Sequence, residues 1–219
     1  WRAIKEGYRK IIFADFDDEF EKNRVQVVSD LLDTSLVVVN DSDIVDLHGE
    51  VKIPRYFSQR YSEGDQISEH DLRYGNMMGL ANTAARSRVF IDNQALVSGD
   101  AIAFDWYLWS SVLLNGNTAT FTSKTATKYR VYNQNLAGLP QSLNLDYIKK
   151  GVEVKRQHYS LMSCLSNGYI EMAAEFQYVS EMLKNNEWGK GYLSALGANT
   201  IANHIWWENI QTPEEVGFK

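Results

Sequence analysis

Apolar positions in residues 1–32 recur at helical spacing. Tyr8, Ile12, Phe16 and Phe20 step by four, Val27 and Leu31 extend the stripe, and Phe13 and Val28 lie beside it. Glu6 before Lys10 and Asp18 before Lys22 add i, i+4 pairs on the other face, so the segment reads as one N-terminal helix. Asp33-Thr34-Ser35 breaks the pattern. The β-branched run 36–39 follows as a short strand, and Asn40-Asp41-Ser42-Asp43 supplies turn chemistry. Residues 51–53 before Pro54 read as a second short strand. Ser68 with Asp71 three residues on forms a capping box that would open a helix over 72–85, with Gly75 and Gly79 inside it.

From residue 88 the period shortens to two. In 101–114, Ile102, Phe104, Trp106 and Leu108 fall on one face and Ala103, Asp105, Tyr107 and Trp109 on the other. Asn115-Gly116 then gives a hairpin signal, and 118–123 and 129–132 are rich in β-formers. After Val154 the helical period returns. Met162, Leu165, Tyr169, Met172, Phe176, Val179 and Leu183 alternate steps of three and four, and a second helix is expected over 192–210 before Thr212-Pro213. These elements predict an α+β fold in one domain, 1–219. It has an N-terminal helix, a central antiparallel β-meander in a β-rich part of about 36–133, and a C-terminal helical hairpin in a helical part of about 152–211.

Composition narrows the function classes. The 219 residues carry a net charge of −6, which disfavours a nucleic-acid coat. One cysteine, Cys164, excludes a disulfide scaffold and a multi-cysteine zinc site. No apolar run reaches membrane-spanning length, so no membrane partner is expected. Trp1 in place of an initiating methionine leads to the expectation of a processed or partial chain. The 6 Trp, 12 Tyr and 9 Phe require burial or an interface.

Two acidic strings carry candidate chemistry. Asp15-Phe16-Asp17 follows the apolar run 11–14 and resembles the first motif of haloacid-dehalogenase-type phosphatases. Gly99-Asp100 with Asp105 resembles their second acidic motif. The resemblance implies Asp15 as nucleophile and Mg²⁺ between the carboxylates. It departs at Glu19, where a Thr is expected, and in lacking a Lys shortly before Gly99. On a helix, Asp15 and Asp17 would stand about 200° apart, too far to share an ion. Asp41-Ser42-Asp43, with Asp46, resembles the metal-binding Asp-x-Asp of sugar-nucleotide transferases. The preceding residues are too few for a nucleotide-binding βαβ half, which leaves a polar turn as the plainer reading.

Other candidates are thinner. His204 and Glu208 stand at i, i+4 and form a possible one-ion helix face. Glu171, Glu175 and Glu181 lack the Glu-x-x-His element of a di-iron site. Residues 173–178 resemble the active-site helix of ribosome-inactivating glycosidases, but Met172 and Glu175 occupy its two catalytic positions. Ser98 lies outside a Gly-x-Ser-x-Gly elbow, and Gly189-Lys190-Gly191 is no phosphate loop. Arg55, Tyr56, Phe57, Arg60 and Tyr61 read as a loop packed by its own rings.

No coherent catalytic set emerges, and the sequence names no cofactor. The first expectation is therefore a non-catalytic structural or assembly subunit, such as a virus or phage particle protein. Its partners would be other subunits or copies of itself, with Trp106, Tyr107, Trp109, Trp206 and Trp207 as interface candidates. A Mg²⁺-dependent hydrolase or transferase using Asp15, Asp17, Asp41 and Asp43 is one alternative. A small-molecule or glycan binding module is another.

Overall fold

The fold is α+β. In a computed structural model the described residues are 2–92, 101–131, 143–199, 205 and 207–218, and they fall into two compact units. One comprises residues 2–92 with 108–131. The other comprises 101–107 with the described residues from 143 onward. Among the described residues no helix is long and apolar enough to cross a membrane.

The first unit opens with α1 (Arg2–Lys5), β1 (Lys10–Ile12), β2 (Glu19–Phe20) and α2 (Arg24–Leu31). The expected single helix over 1–32 is thus replaced by two helices flanking two strands. The stripe of fours was not a buried face: Tyr8 is 60% exposed and Phe16 101%. Gly7, at φ +85°, ends α1, and the backbone of 10–12 finds its hydrogen bonds on a strand distant in sequence. Only α2 has an apolar face. Val28 and Leu32 pack on Val38 and Ala84 of the sheet, while Val25 points to solvent.

Next come β3 (Val37–Val45), β4 (Val51–Ile53), β5 (Gln66–Ile67), α3 (Glu69–Leu72), β6 (Thr83–Arg86), α4 (Arg88–Asp92), α5 (Phe104–Leu114) and β7 (Ala119–Arg130). The capping box on Ser68 and Asp71 is present, but α3 stops at Leu72, and 83–86 is a strand rather than the end of a longer helix. The order β1-β6-β3-β7-β2 makes a mixed sheet, with β4 on β3 and β5 on β7. β3 and β7 run parallel along nine pairs, and β6 is antiparallel to both β1 and β3, so β1, β3 and β7 share one direction. This corrects the antiparallel meander. β6 lies between two strands, and its Ala84 and Ala85, both fully buried, leave room for layers above and below.

The segment 101–114 is corrected from strand to helix. Trp106 through Leu113 are all buried in α5. A helix covered on every side carries no polar stripe, and its order of large and small residues mimics alternation. Asn115-Gly116 is a helix end rather than a hairpin. Gly116, at φ +78°, donates its amide to the Leu113 carbonyl, as a left-handed helix cap does.

The second unit contains α6 (Leu145–Ser163), α7 (Ile170–Met182) and α8 (Asn186–Asn199). Asn144 caps α6 by accepting the Tyr147 amide. The predicted stripe Met162 to Leu183 runs from the end of α6 through α7, with Met162, Tyr169, Phe176, Val179 and Leu183 buried. The helix expected over 192–210 is described as α8, which begins earlier, at Asn186; 200–204 and 206 lie outside the described residues. The C-terminal segment follows α6. Lys155 Nζ, fully inside, donates to the Ile210 carbonyl at 2.6 Å, and the Tyr192 hydroxyl donates to Gln211.

Candidate functional site

The carboxyl ends of parallel strands are where open sheets place ligands. The chain leaves β1 at that edge through Phe13, whose amide still donates to the Thr83 carbonyl of β6. Residues 14–18 then form a loop before β2. The ring of Phe13 packs edge-on against Phe90 and Trp109 at 5.9 and 6.0 Å, which anchors the root of the loop.

Arg24 fixes the loop from the other side. It is buried in α2, and its guanidinium reaches β3 and the chain just after β1 and just before β6. Nε donates to Asn40 Oδ1 at 2.8 Å, Nη1 to the Phe13 carbonyl at 3.0 Å and Nη2 to the Ala81 carbonyl at 2.7 Å. Burial lowers its pKa to about 10, still well charged at neutral pH, and Asp18 opposes the drop. Asn40 passes the network on, donating to Thr127 Oγ1, which donates to the Ala81 carbonyl. At the end of β7, Arg130 Nε holds the Asp17 carbonyl at 2.9 Å, and Nη2 holds Glu19 at 2.8 Å.

Three carboxylates occupy this rigid loop. Asp15 is exposed, and its pKa is raised by partial burial and by Asp17. Asp18 accepts the Arg130 amide at Oδ1, 2.9 Å away, while its buried Oδ2 has no partner. Its carboxyl is pushed up to about 6, first by burial and then by Asp17 and Asp15, against the pull of Arg130. Phe16, between Asp15 and Asp17, faces solvent entirely. The strand context also removes the helical objection: a loop between β1 and β2 does not impose the 200° separation of a helix. Among the described residues, no three His, Cys, Asp or Glu side chains are placed to hold a metal ion by themselves. A cation here would complete its shell with water and phosphate oxygens, as Mg²⁺ commonly does.

The second Asp-x-Asp is differently employed. Residues 40–45 continue β3 rather than forming a turn, and the register with β7 shifts between Asn40 and Asp41. Asp41 is fully buried. Its Oδ1 accepts the Ser42 and Phe57 amides at 2.8 and 2.9 Å, and its Oδ2 accepts the Ser58 hydroxyl. Asp43 accepts the Arg55 amide at 2.8 Å. Both carboxylates hold the loop 55–58, where Arg55 takes φ +45°. In that loop Tyr56 and Phe57 are buried, with Arg60 over both rings.

The aromatic candidates among the described residues are buried. Trp106 and Trp109 are fully buried, and Tyr107 and Trp207 nearly so. Trp109 supports Phe13 under the acidic loop, Trp106 stacks on His158 at 3.8 Å, and Trp207 lies 4.9 Å from Tyr147. Glu208 is partly buried; His204, Trp206, Ser98, Gly99 and Asp100 lie outside the described residues. Asp105 accepts the Trp106 amide at the start of α5. Sequence reasoning missed Asp18 and Arg24 as site residues. The doubled acid Asp17-Asp18 was a usable signal for the first, whereas nothing in the sequence marks Arg24 as buried.

No protein-family model and no curated protein matches the chain. Among solved structures it is similar to S. aureus TarS residues 1–349, at 14% identity and TM-score 0.48, covering 81% of this chain and 50% of that one. The same protein in complex with UDP-GlcNAc matches at 17% identity and TM-score 0.48, over 80% and 50%. The chain thus spans about half the length of these structures.

Proposed function

We propose that this chain supplies the cation-holding part of a divalent-metal-dependent transferase that uses a phosphate-bearing donor. One observation carries the reading. Asp15, Asp17 and Asp18 crowd together at the carboxyl edge of the parallel strands, and one buried oxygen, Asp18 Oδ2, is left unanswered. A divalent cation held by Asp15 and Asp17 relieves the crowding of like charge. Asp15 and Asp17 are the ligands in this reading, and Asp18 adds charge beside them. A bound Mg²⁺ or Mn²⁺ would neutralise donor phosphate oxygens and ease departure of the phosphate leaving group.

The chain's own part is positioning. Arg24 and Arg130 grip the Phe13 and Asp17 carbonyls, so the loop cannot splay to separate its like charges. Transfer is preferred to a covalent phosphatase route because position 19 holds a glutamate. Its carboxylate is taken by Arg130 and Lys128, which also hold it below its ordinary pKa. Asp41 and Asp43 lie outside the cation site in this reading, since their oxygens are used by loop 55–58. The assembly reading is set second because its candidates Trp106, Tyr107, Trp109 and Trp207 are buried.

Thermal unfolding of the 219-residue chain with Mn²⁺ and a panel of UDP, GDP and ADP tests the proposal. The expected result is a Tm rise that needs both metal and a nucleoside diphosphate and disappears in Asp15→Asn and Asp17→Asn. A response unchanged in both variants would exclude the acidic loop. Release of free phosphate from simple phosphate esters, sensitive to Asp15→Asn, would favour the hydrolase instead.

A further inference from the structure

We infer that a cavity on α7, far along the chain from the acidic loop, binds a small quaternary ammonium cation. The cavity holds about 440 Å³ and is lined by Glu175 and Tyr178 of α7 and by Pro213, Glu214, Gly217 and Phe218 of the C-terminal segment. Two of its lining residues, Tyr178 and Phe218, are aromatic. Behind them, Trp188 of α8, which does not line the cavity, meets Phe218 edge-on at 5.2 Å and Tyr178 at 6.4 Å. Tyr178 remains half exposed, which leaves ring area for a ligand.

The side chains around these rings carry several carboxylates. Among the described residues Glu171, Glu175, Glu214 and Glu215 take part in no ion pair. Burial and then Glu214, Glu215 and Glu171 disfavour the charged form of Glu175. Lys155, which answers Glu215 electrostatically, donates to the Ile210 carbonyl and lies 5.4 Å from the Phe176 ring centroid, and it is not among the residues lining the cavity.

Ring faces with neighbouring carboxylates select a particular chemistry. Among the described residues no three His, Cys, Asp or Glu are placed to hold a metal ion, and the two lining carboxylates would leave most of a metal's shell to water. A neutral apolar molecule would bury carboxylates without a partner. An alkylated ammonium is weakly hydrated, fills the volume with methyl groups and is attracted both by the ring faces and by the acids. It needs no donor to reach it, which suits a cavity whose charged groups only accept.

Isothermal titration of the intact chain with choline and tetramethylammonium, against 3,3-dimethyl-1-butanol as the neutral isostere, tests this. Choline should bind at millimolar strength or better and the isostere about ten-fold more weakly. Glu175→Gln and Tyr178→Ala should each cost about ten-fold in choline affinity. Tyr178→Leu keeps the apolar bulk should the alanine variant misfold, and the same loss is expected. Equal binding of choline and the isostere, absence of any binding heat, or full affinity in Glu175→Gln and Tyr178→Leu would each overturn the inference. The Mn²⁺ response of the acidic loop should be untouched by these changes.

Discussion

The Asp18 carboxylate has an amide at one oxygen and nothing at the other, and its acid–base behaviour follows from that asymmetry. Its folded pKa, about 6, stands above the ordinary 3.8. A raised pKa means the folded state holds the proton more tightly. The stabilisation is therefore full below 3.8 and lost as pH rises through about 6. Asp18→Asn should raise stability at pH 7.5 by on the order of 1 kcal/mol, after allowance for partial solvent contact, and flatten the profile between pH 4 and 6. Urea unfolding across that range checks it. Because a cation must compete with the same proton, affinity for Mn²⁺ should fall about ten-fold from pH 7.5 to 5 in the parent chain and much less in the variant. Arg24 is the other decisive residue. Arg24→Met takes the guanidinium from Asn40 Oδ1 and the Phe13 carbonyl and leaves the Ala81 carbonyl to Thr127 alone, so a loss of about 2–4 kcal/mol in denaturant unfolding is expected, together with loss of the metal response.

Within α6, His158 is the analogous misfit. It is buried flat against Trp106, and neither ring nitrogen has a partner. Burial, and then Lys155, holds its pKa well below the usual value of 6.5. The folded state then binds fewer protons than the unfolded one, so stability is retained above 6.5 and lost as pH falls below it. The second unit should lose up to about 1.4 kcal/mol per pH unit in that range. His158→Phe keeps the stack and should abolish this slope, measured by tryptophan fluorescence during unfolding at pH 5 and 7.5. Gly151 of the same helix tests the C-terminal segment. A Cβ there would meet Trp207 at 2.7 Å and Ile210 at 2.8 Å. Gly151→Ala gains helix propensity of about 1 kcal/mol but should be net destabilising by about 1 kcal/mol, as overpacking displaces that segment. A rise in Tm would show that the segment yields freely.

At the scale of the whole molecule, the sequence was most legible where one face meets solvent. The stripe from Met162 to Leu183 marked buried positions, and the capping box on Ser68 marked a helix start. It misled where environment overrides pattern. Buried α5 offered no polar face, and the run Tyr8 to Phe20 imitated a helix although two of its four members point to solvent. That second error also concealed the candidate site. Asp15 and Asp17 were visible as a string after an apolar run, but the assumed helix set them on opposite faces. Their actual placement depends on β1 pairing with β6, more than 70 residues away. Asp41 and Asp43 formed an equally good string, and only their bonds to loop 55–58 show that they serve structure. Of the tryptophans named as interface candidates, Trp106, Trp109 and Trp207 are buried.

The central claim is that the loop after β1 holds a divalent cation completed by donor phosphate. Electron paramagnetic resonance of Mn²⁺ at pH 7.5 reads this directly through the fraction of free hydrated ion. With a nucleoside diphosphate present, the account predicts one tightly held Mn²⁺ per chain, released in Asp15→Asn and in Asp17→Asn and retained in Asp43→Asn. An unchanged free-ion signal in the parent chain, or equal retention in all three variants, would contradict it.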